Sequence, residues 1–259
     1  MQARCLRSRE VMDEQIALAA KLIKESNRIV AMSGAGISTE AGIPDFRGQS
    51  GLWNNPQLLS RMSKRGFQSD PAGFYKASME LLPNLTSAEP TSAHRLLADL
   101  EENGKLIAVI TQNIDGLHQA AGSKTVYEIH GNGRSGHCTR CSAAFEMAKV
   151  DAGIEKGEPL PPLCPDCQWP IKPDVVLFDE LLPIGIWQAA ERAVQQCELL
   201  MVFGSSLVVY PAAELPMIAL KNKAKLIIVN LDPTDYDSRA TVVIHRGLSA
   251  FAEAVTTAL

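Results

Sequence analysis

Four short apolar segments, each running straight into a cluster of small and polar residues, constrain this chain more than any other feature. Residues 29–32 lead into Ser33-Gly34-Ala35-Gly36-Ile37-Ser38, and residues 106–110 into Thr111-Gln112-Asn113-Ile114-Asp115. Residues 199–203 lead into Gly204-Ser205-Ser206, and residues 226–229 into Asn230-Leu231-Asp232. Runs this short and this apolar fit strands buried on both faces. Between them lie helical stretches. Ile16, Ala19, Ala20 and Ile23 fall at i, i+3, i+4 and i+7 within residues 12–27, and residues 187–196 and 212–222 also read as helices. The alternation predicts an α/β fold, a Rossmann-like parallel sheet with helices on both faces. Such sheets bind ligands beyond the carboxyl ends of their strands. Glycine, hydroxyl, amide and carboxylate groups at four strand ends point to one site for a polar, phosphate-bearing ligand. Ordinary strand-to-helix turns favour the same residues.

Two stretches interrupt the alternation. Residues 44–105 carry glycine and proline punctuation and then helical patches at 71–82 and 92–103. They read as a cofactor-covering loop plus a helical insertion. Residues 137–173 hold Cys138, Cys141, Cys164 and Cys167 as two C-x-x-C pairs. In a reducing compartment that spacing argues for metal over disulfides. Four thiolates make a closed tetrahedral site, so one structural Zn2+ in a ribbon is expected, with no position left for catalysis. Residues 12–43, 106–136 and 174–259 are then the sheet domain. Cys197 reads as a core filler.

Composition narrows the function classes. With 46% hydrophobic and 21% charged residues the balance is that of a soluble globular protein. A formal net charge of -4 gives no attractive field for nucleic acid or anionic lipid, so neither partner is expected. No apolar run approaches the roughly 18 residues of a membrane helix. The first ten residues lack a signal-peptide core, and Met12 is an alternative start. A cytoplasmic monomer is the expectation.

The glycine loop is not that of a dehydrogenase. Gly34 and Gly36 follow a strand, but Thr39 stands where a third glycine belongs. Asn54 and Asn55 stand where an acidic residue would bind ribose, about 20 residues on. The loop is either a structural turn or a dinucleotide site whose ribose is met elsewhere, for instance by Asn230 or Asp232. After Pro44, a loop presents Asp45, Phe46 and Arg47. Phe46 would close over a reactive ring and Arg47 would meet a phosphate; a salt-bridged surface loop is the plainer alternative. The amide and carboxylate groups of residues 112–115 suit a carboxamide in a half-dry pocket. His130 ends a short strand, residues 126–129, and its ordinary pKa suits a general base near neutrality. Strand-end histidines are also commonly structural.

Taken in order, residues 34–38, 42–48 and 111–118, then His130-Gly131, the cysteine pairs, residues 204–207 and Asn230 resemble the motifs of sirtuins. Residues 208–213, Val-Val-Tyr-Pro-Ala-Ala, are most similar to the bacterial deacetylases of that family. The resemblance implies an NAD-dependent protein lysine deacylase, most naturally a deacetylase. The acyl oxygen would attack the anomeric carbon of the nicotinamide ribose. The products would be nicotinamide, free lysine and 2'-O-acetyl-ADP-ribose. It further implies that His130 is the general base and that Asn113 contacts the ribose. Ile114 and Asp115 would hold the carboxamide, and Phe46 would shield the centre. Gly34, Ala35, Gly36, Ile37, Ser38, Thr39, Asp45, Arg47, Gln112, Gly204, Ser205, Ser206, Asn230, Leu231, Asp232 and Leu248 would bind the rest of NAD. An acyl-lysine protein would enter as an added strand. Val175, Val176, Leu177, Phe178 and Asp179 would flank it on one side, Leu207, Val208, Val209 and Tyr210 on the other.

Two departures from the family pattern stand out. Phe178-Asp179-Glu180 replaces the usual Phe-Gly-Glu, placing a charged side chain beside the peptide groove. Residues 75–78, Tyr-Lys-Ala-Ser, lack the arginine of the Tyr-x-x-Arg pattern that holds acidic acyl groups, so neutral acyl groups are expected. The alternatives are a mono-ADP-ribosyltransferase on the same fold and a deacylase of longer neutral acyl chains.

Overall fold

The computed structural model describes residues 2–45, 55–80 and 87–259, with side chains from residue 12 onward. Among the described residues there are nine strands: β1 Ile29–Ser33, β2 Leu106–Thr111, β3 Val126–Glu128, β4 Gly131–Cys138, β5 Ala144–Glu146, β6 Ile171–Val175, β7 Leu199–Phe203, β8 Lys225–Val229 and β9 Val242–Ile244. Six of them make one parallel sheet in the order β3-β2-β1-β7-β8-β9. The chain lays down β1, β2 and β3 outward to one side, then returns to lay β7, β8 and β9 to the other. The reversal falls between β1 and β7, the switch point at which such sheets open a crevice for ligands. Register puts Ser33 level with both Thr111 and Phe203, and Phe203 level with Val229. The polar loops after these strands therefore emerge side by side.

Alternate strand residues feed two cores, as both-face burial requires. On one face Ala31, Val109, Met201, Phe203 and Val229 pack against Ile23, Leu97 and Phe251. These come from the helices Gln2–Glu25, Ser92–Glu102 and Leu248–Ala258. On the other face Met32, Ile110, Val202 and Ile228 pack against Val194 and Leu215. Those lie on the helices Ile184–Gln196 and Leu215–Lys221. Cys197 is 5% exposed within this second core, which accounts for it as filler.

A third core is separate. Phe67, Phe74 and Tyr75 of the insertion pack with Cys138, Met147, Ile154, Cys164 and Ile171 of the ribbon and with Leu177 just beyond it. The Tyr75 hydroxyl donates to the Ile171 carbonyl at 2.9 Å and ties the two parts together. The ribbon's own sheet is antiparallel, in the order β5-β4-β6. One boundary drawn from the sequence does not follow the packing. The helix Ser92–Glu102 lies within the 44–105 insertion by sequence, yet its Leu96, Leu97 and Leu100 are buried on the large sheet. Its strong 3.6-residue periodicity required an apolar surface that the small insertion does not offer. None of the described helices is long and apolar enough to cross a membrane.

Candidate active site

The glycines at the switch point are demanded by backbone contact. Gly36 N–H donates to the Gly204 carbonyl at 2.9 Å, and Gly34 N–H to the Phe203 carbonyl at 3.0 Å. A β-carbon on Gly36 would stand 2.7 Å from Gly204 Cα. Gly204 itself has φ +61°, and a β-carbon there would stand 2.5 Å from both Gly36 C and Ile37 N. Only glycines let the two loops meet this closely. Ile37 is 1% exposed and belongs to the first core, which anchors the 3₁₀ turn Ala35–Ile37. Thr39 closes that turn by donating its hydroxyl to the Gly36 carbonyl at 3.0 Å.

Beside this floor, residues 111–118 fold around one carboxylate. Asp115 Oδ2 accepts from Ser38 Oγ at 2.7 Å and from Asn113 Nδ2 at 3.3 Å, and Asp115 Oδ1 accepts from Leu117 N–H at 3.0 Å. Asn113 Nδ2 also reaches the Gly34 carbonyl at 3.2 Å and Ser38 Oγ at 3.1 Å. Gln112 Nε2 donates to Ser205 Oγ at 3.0 Å, joining the loops after β2 and β7. Ser38, Gln112, Asn113, Asp115 and Ser205 are thus brought together, with half-buried Ile114 in the same loop.

His130 stands at the edge of this cluster. Its Nδ1 lies 3.0 Å from the Gln112 carbonyl. A carbonyl only accepts, so Nδ1 carries the proton and Nε2 keeps its lone pair. Burial pushes its pKa down, opposed by that hydrogen bond, so the ring is neutral at neutral pH. The carbonyl of His130 accepts from Val176 N–H at 2.8 Å, which fastens the segment after β6 next to the base. Leu177 is buried in the third core. Its N–H is held by Glu180 Oε2 at 2.9 Å, and Glu180 is itself paired with Lys172 at 3.0 Å. Phe178 and Asp179 are exposed, and Asp179 has φ +68°. That angle explains why glycine is usual here, and aspartate is among the side chains that adopt it most readily. Across from this segment Leu207 is buried with φ +55°, its N–H 3.3 Å from Ser205 Oγ. Val208 and Tyr210 are exposed and Val209 is half-buried.

Other expected residues are less simply placed. Asn230 Nδ2 is spent on the Asp232 carbonyl at 2.7 Å, while Leu231 is 69% exposed. Leu248 is 5% exposed in the first core, so only its backbone is open to a ligand. Asp45 ends a described segment; Phe46 and Arg47, with the roles expected of them, lie outside the described residues. Tyr75 is 3% exposed and bonded to Ile171, so residues 75–78 do not present a pair of groups to an acidic acyl chain. Sequence reasoning passed over Ser33 and Thr111, buried hydroxyls 2.9 Å apart on neighbouring strands beneath the site. Their place at the head of two of the polar clusters was the available signal.

The sulfurs of Cys138, Cys141, Cys164 and Cys167 all lie within 4.8 Å of one another. Cys138 and Cys167 are 3.3 Å apart, Cys141 and Cys164 3.6 Å. A tetrahedral Zn2+ with Zn–S bonds of about 2.3 Å needs sulfurs roughly 3.8 Å apart. The four cysteines fit one structural zinc. Arg140 stacks over Trp169 at 5.4 Å, and Arg134 pairs with Glu128, its Nη2 2.6 Å from Oε2. Arg134 and Arg140 are therefore both engaged within the chain.

Comparison with known proteins agrees with this geometry. NAD-dependent protein deacetylase 2 of Caldanaerobacter subterraneus subsp. tengcongensis is 44% identical over 232 residues, 89% of this chain and 90% of that protein. NAD-dependent protein deacylase 2 of Archaeoglobus fulgidus is 46% identical over 230 residues, 87% of this chain and 88% of the relative. A solved Sir2 variant with a deacetylated p53 peptide and 3'-O-acetyl ADP-ribose superimposes with a TM-score of 0.86 at 42% identity, covering 92% of this chain and 96% of that one. The Sir2 family profile matches residues 34–211, from the first switch-point glycine past the cysteine quartet to the loop after β7, and this chain belongs to the Sir2 family.

Proposed function

We propose that this chain is an NAD-dependent protein lysine deacylase, acting first on acetyl-lysine. The observation that carries the reading is the state of His130: Nδ1–H fixed on the Gln112 carbonyl, Nε2 unprotonated, and the ring beside Asn113's loop. A neutral, oriented imidazole at a dinucleotide crevice is equipped to take a proton from a ribose hydroxyl. NAD supplies the activated ribose and the nicotinamide leaving group when bound. Ser38, Gln112, Asn113, Ile114, Asp115, Ser205, Ser206 and Asn230 would hold it, with the loop bearing Phe46 and Arg47 over it. Asp115, fixed by Ser38 and Leu117, would orient the carboxamide. The acyl-lysine would lie as a strand between residues 175–179 and 207–210, the first of which is tied to His130 through Val176. No described group matches an acidic acyl chain, so neutral acyl groups are preferred. We infer a cytoplasmic monomer as the setting.

The test is incubation with NAD and an acetyl-lysine peptide, following peptide mass and small-molecule products. Deacetylation with matched nicotinamide and 2'-O-acetyl-ADP-ribose, lost in His130→Ala, is the expected result. ADP-ribose transferred to protein with no deacylation of any acyl peptide would overturn it.

A further inference from the structure

Beneath the site lies a pair of histidines that the reaction does not use. His94, at the third position of the helix Ser92–Glu102, is fully buried; His118, on the short helix Leu117–Ala120, is 1% exposed. Their rings meet edge to face with centroids 4.7 Å apart. Thr91 N–H donates to His94 Nδ1 at 3.2 Å, and the Thr91 hydroxyl lies 2.8 Å from the same atom. Nδ1 is thus an acceptor, and the proton of the neutral ring sits on Nε2. His118 Nε2 lies 2.8 Å from Ser33 Oγ, which donates to Thr111 Oγ1 at 2.9 Å. Ser33 has one hydrogen, so it accepts from His118, whose proton is therefore on Nε2. Thr111 Oγ1 also receives Asn113 N–H at 3.1 Å. On these two rings the buried atoms without a hydrogen-bond partner are His94 Nε2, a donor by this assignment, and His118 Nδ1, an acceptor. The two orphans are complementary and belong to rings in contact. Burial, above all, lowers the pKa to about 4 for His94 and about 3 for His118, so the order of donors holds across the neutral range.

We propose that His118, backed by His94, is a positioning residue for the Asn113 loop: it orients the Ser33 hydroxyl toward Thr111, and Thr111 then fixes the backbone of Asn113. Its importance for turnover rests on the reading of Asn113 and His130 as the reaction centre; the effect on the loop itself does not. Misplacing a reacting group by a fraction of an ångström lowers turnover more than binding. His118→Leu removes the donor, whereas His118→Gln keeps an amide N–H within reach of Ser33.

The experiment compares these two variants and Ser33→Ala with the wild type. It reads kcat and KM for an acetyl-lysine peptide and hydrogen exchange at the Asn113 amide. In His118→Leu we expect kcat to fall about tenfold or more, with peptide KM within about twofold. Exchange at Asn113 should quicken about tenfold, and His118→Gln should restore both readouts to within about threefold of wild type. Ser33→Ala deletes a single hydroxyl and should reproduce the leucine variant; it decides the matter if that variant does not fold. Combining Ser33→Ala with His118→Leu should add little, since both break one chain of bonds. Unchanged Asn113 exchange, a glutamine variant as impaired as leucine, or fully additive losses would overturn the proposal. A wild-type protein inactive on every acyl peptide would sink the deacylase reading alone. The exchange comparison would still judge the positioning role.

Discussion

Acid should unfold this protein unusually early, and the buried histidine pair sets the size of the effect. Unfolded, both rings titrate near 6.5; folded, burial lowers them to about 4 for His94 and about 3 for His118. Stability is therefore complete above pH 6.5 and is lost as pH falls toward 4, where the unfolded chain has bound two protons that the folded chain refuses. Each withheld proton costs about 1.4 kcal/mol per pH unit. Between pH 7 and pH 5 the pair removes about 4 kcal/mol, a large share of the roughly 5–15 kcal/mol that holds a domain together. His130, also lowered by burial, acts in the same direction. Urea unfolding at pH 7 and pH 5 measures this directly, with His94→Asn/His118→Gln as the comparison. The double variant should lose more than half of the pH dependence, since neither new side chain titrates. Imidazole resonances followed by NMR provide the decisive check. If all five histidines titrate near 6.5, or if the wild type loses less than about 1 kcal/mol over that interval, the reasoning is wrong.

Other outcomes follow from single features. Gly204→Ala adds a β-carbon 2.5 Å from Gly36 C at φ +61°, and should cost about 3 kcal/mol of stability in urea unfolding while weakening NAD binding by titration. His130→Ala should lower kcat by about 10²–10⁴ in the peptide assay, with the melting temperature little changed. Metal analysis should find one equivalent of zinc, and Cys141→Ser or treatment with a strong chelator should abolish it. It should also melt the third core ahead of the large sheet, visible as a separate calorimetric transition.

What could be read from the sequence was what is local along it. Strand ends such as residues 111–115 announce themselves because a buried apolar run must stop where polar groups begin. The cysteine pairs are equally local, since metal ligands three residues apart need only one turn. Contacts between distant segments were invisible. Ser33 and His118 are 85 residues apart and meet only once β1 and β2 pair in register. Gly34 and Gly36 could be read as a turn or as a ligand loop, and nothing near them in sequence reveals that the loop after β7 fills the space where their side chains would be. The tie of the Tyr75 hydroxyl to the Ile171 carbonyl was equally invisible, since nothing near Tyr75 in sequence reveals that partner. The helix Ser92–Glu102 was grouped with its neighbours along the chain, but its apolar face was cut for a surface assembled from strands elsewhere.

Strand β4 starts at Gly131, directly after His130, and finishes at Cys138. From Gly136 to Cys138 the strand pairs in unbroken register with β6, so inserting or deleting one residue in that stretch would turn Cys138 away from the other three sulfurs. Length is consequently unforgiving between these two positions. Residues 142–163 are different: they leave Cys141 and come back to Cys164, so the metal closes them off as a loop whose ends are already held. An engineer wishing to append a reporter or a second domain would graft it there, most simply at the exposed Gly157, which has no neighbour within 4 Å of an added β-carbon. The distance from base to metal would stay as it is.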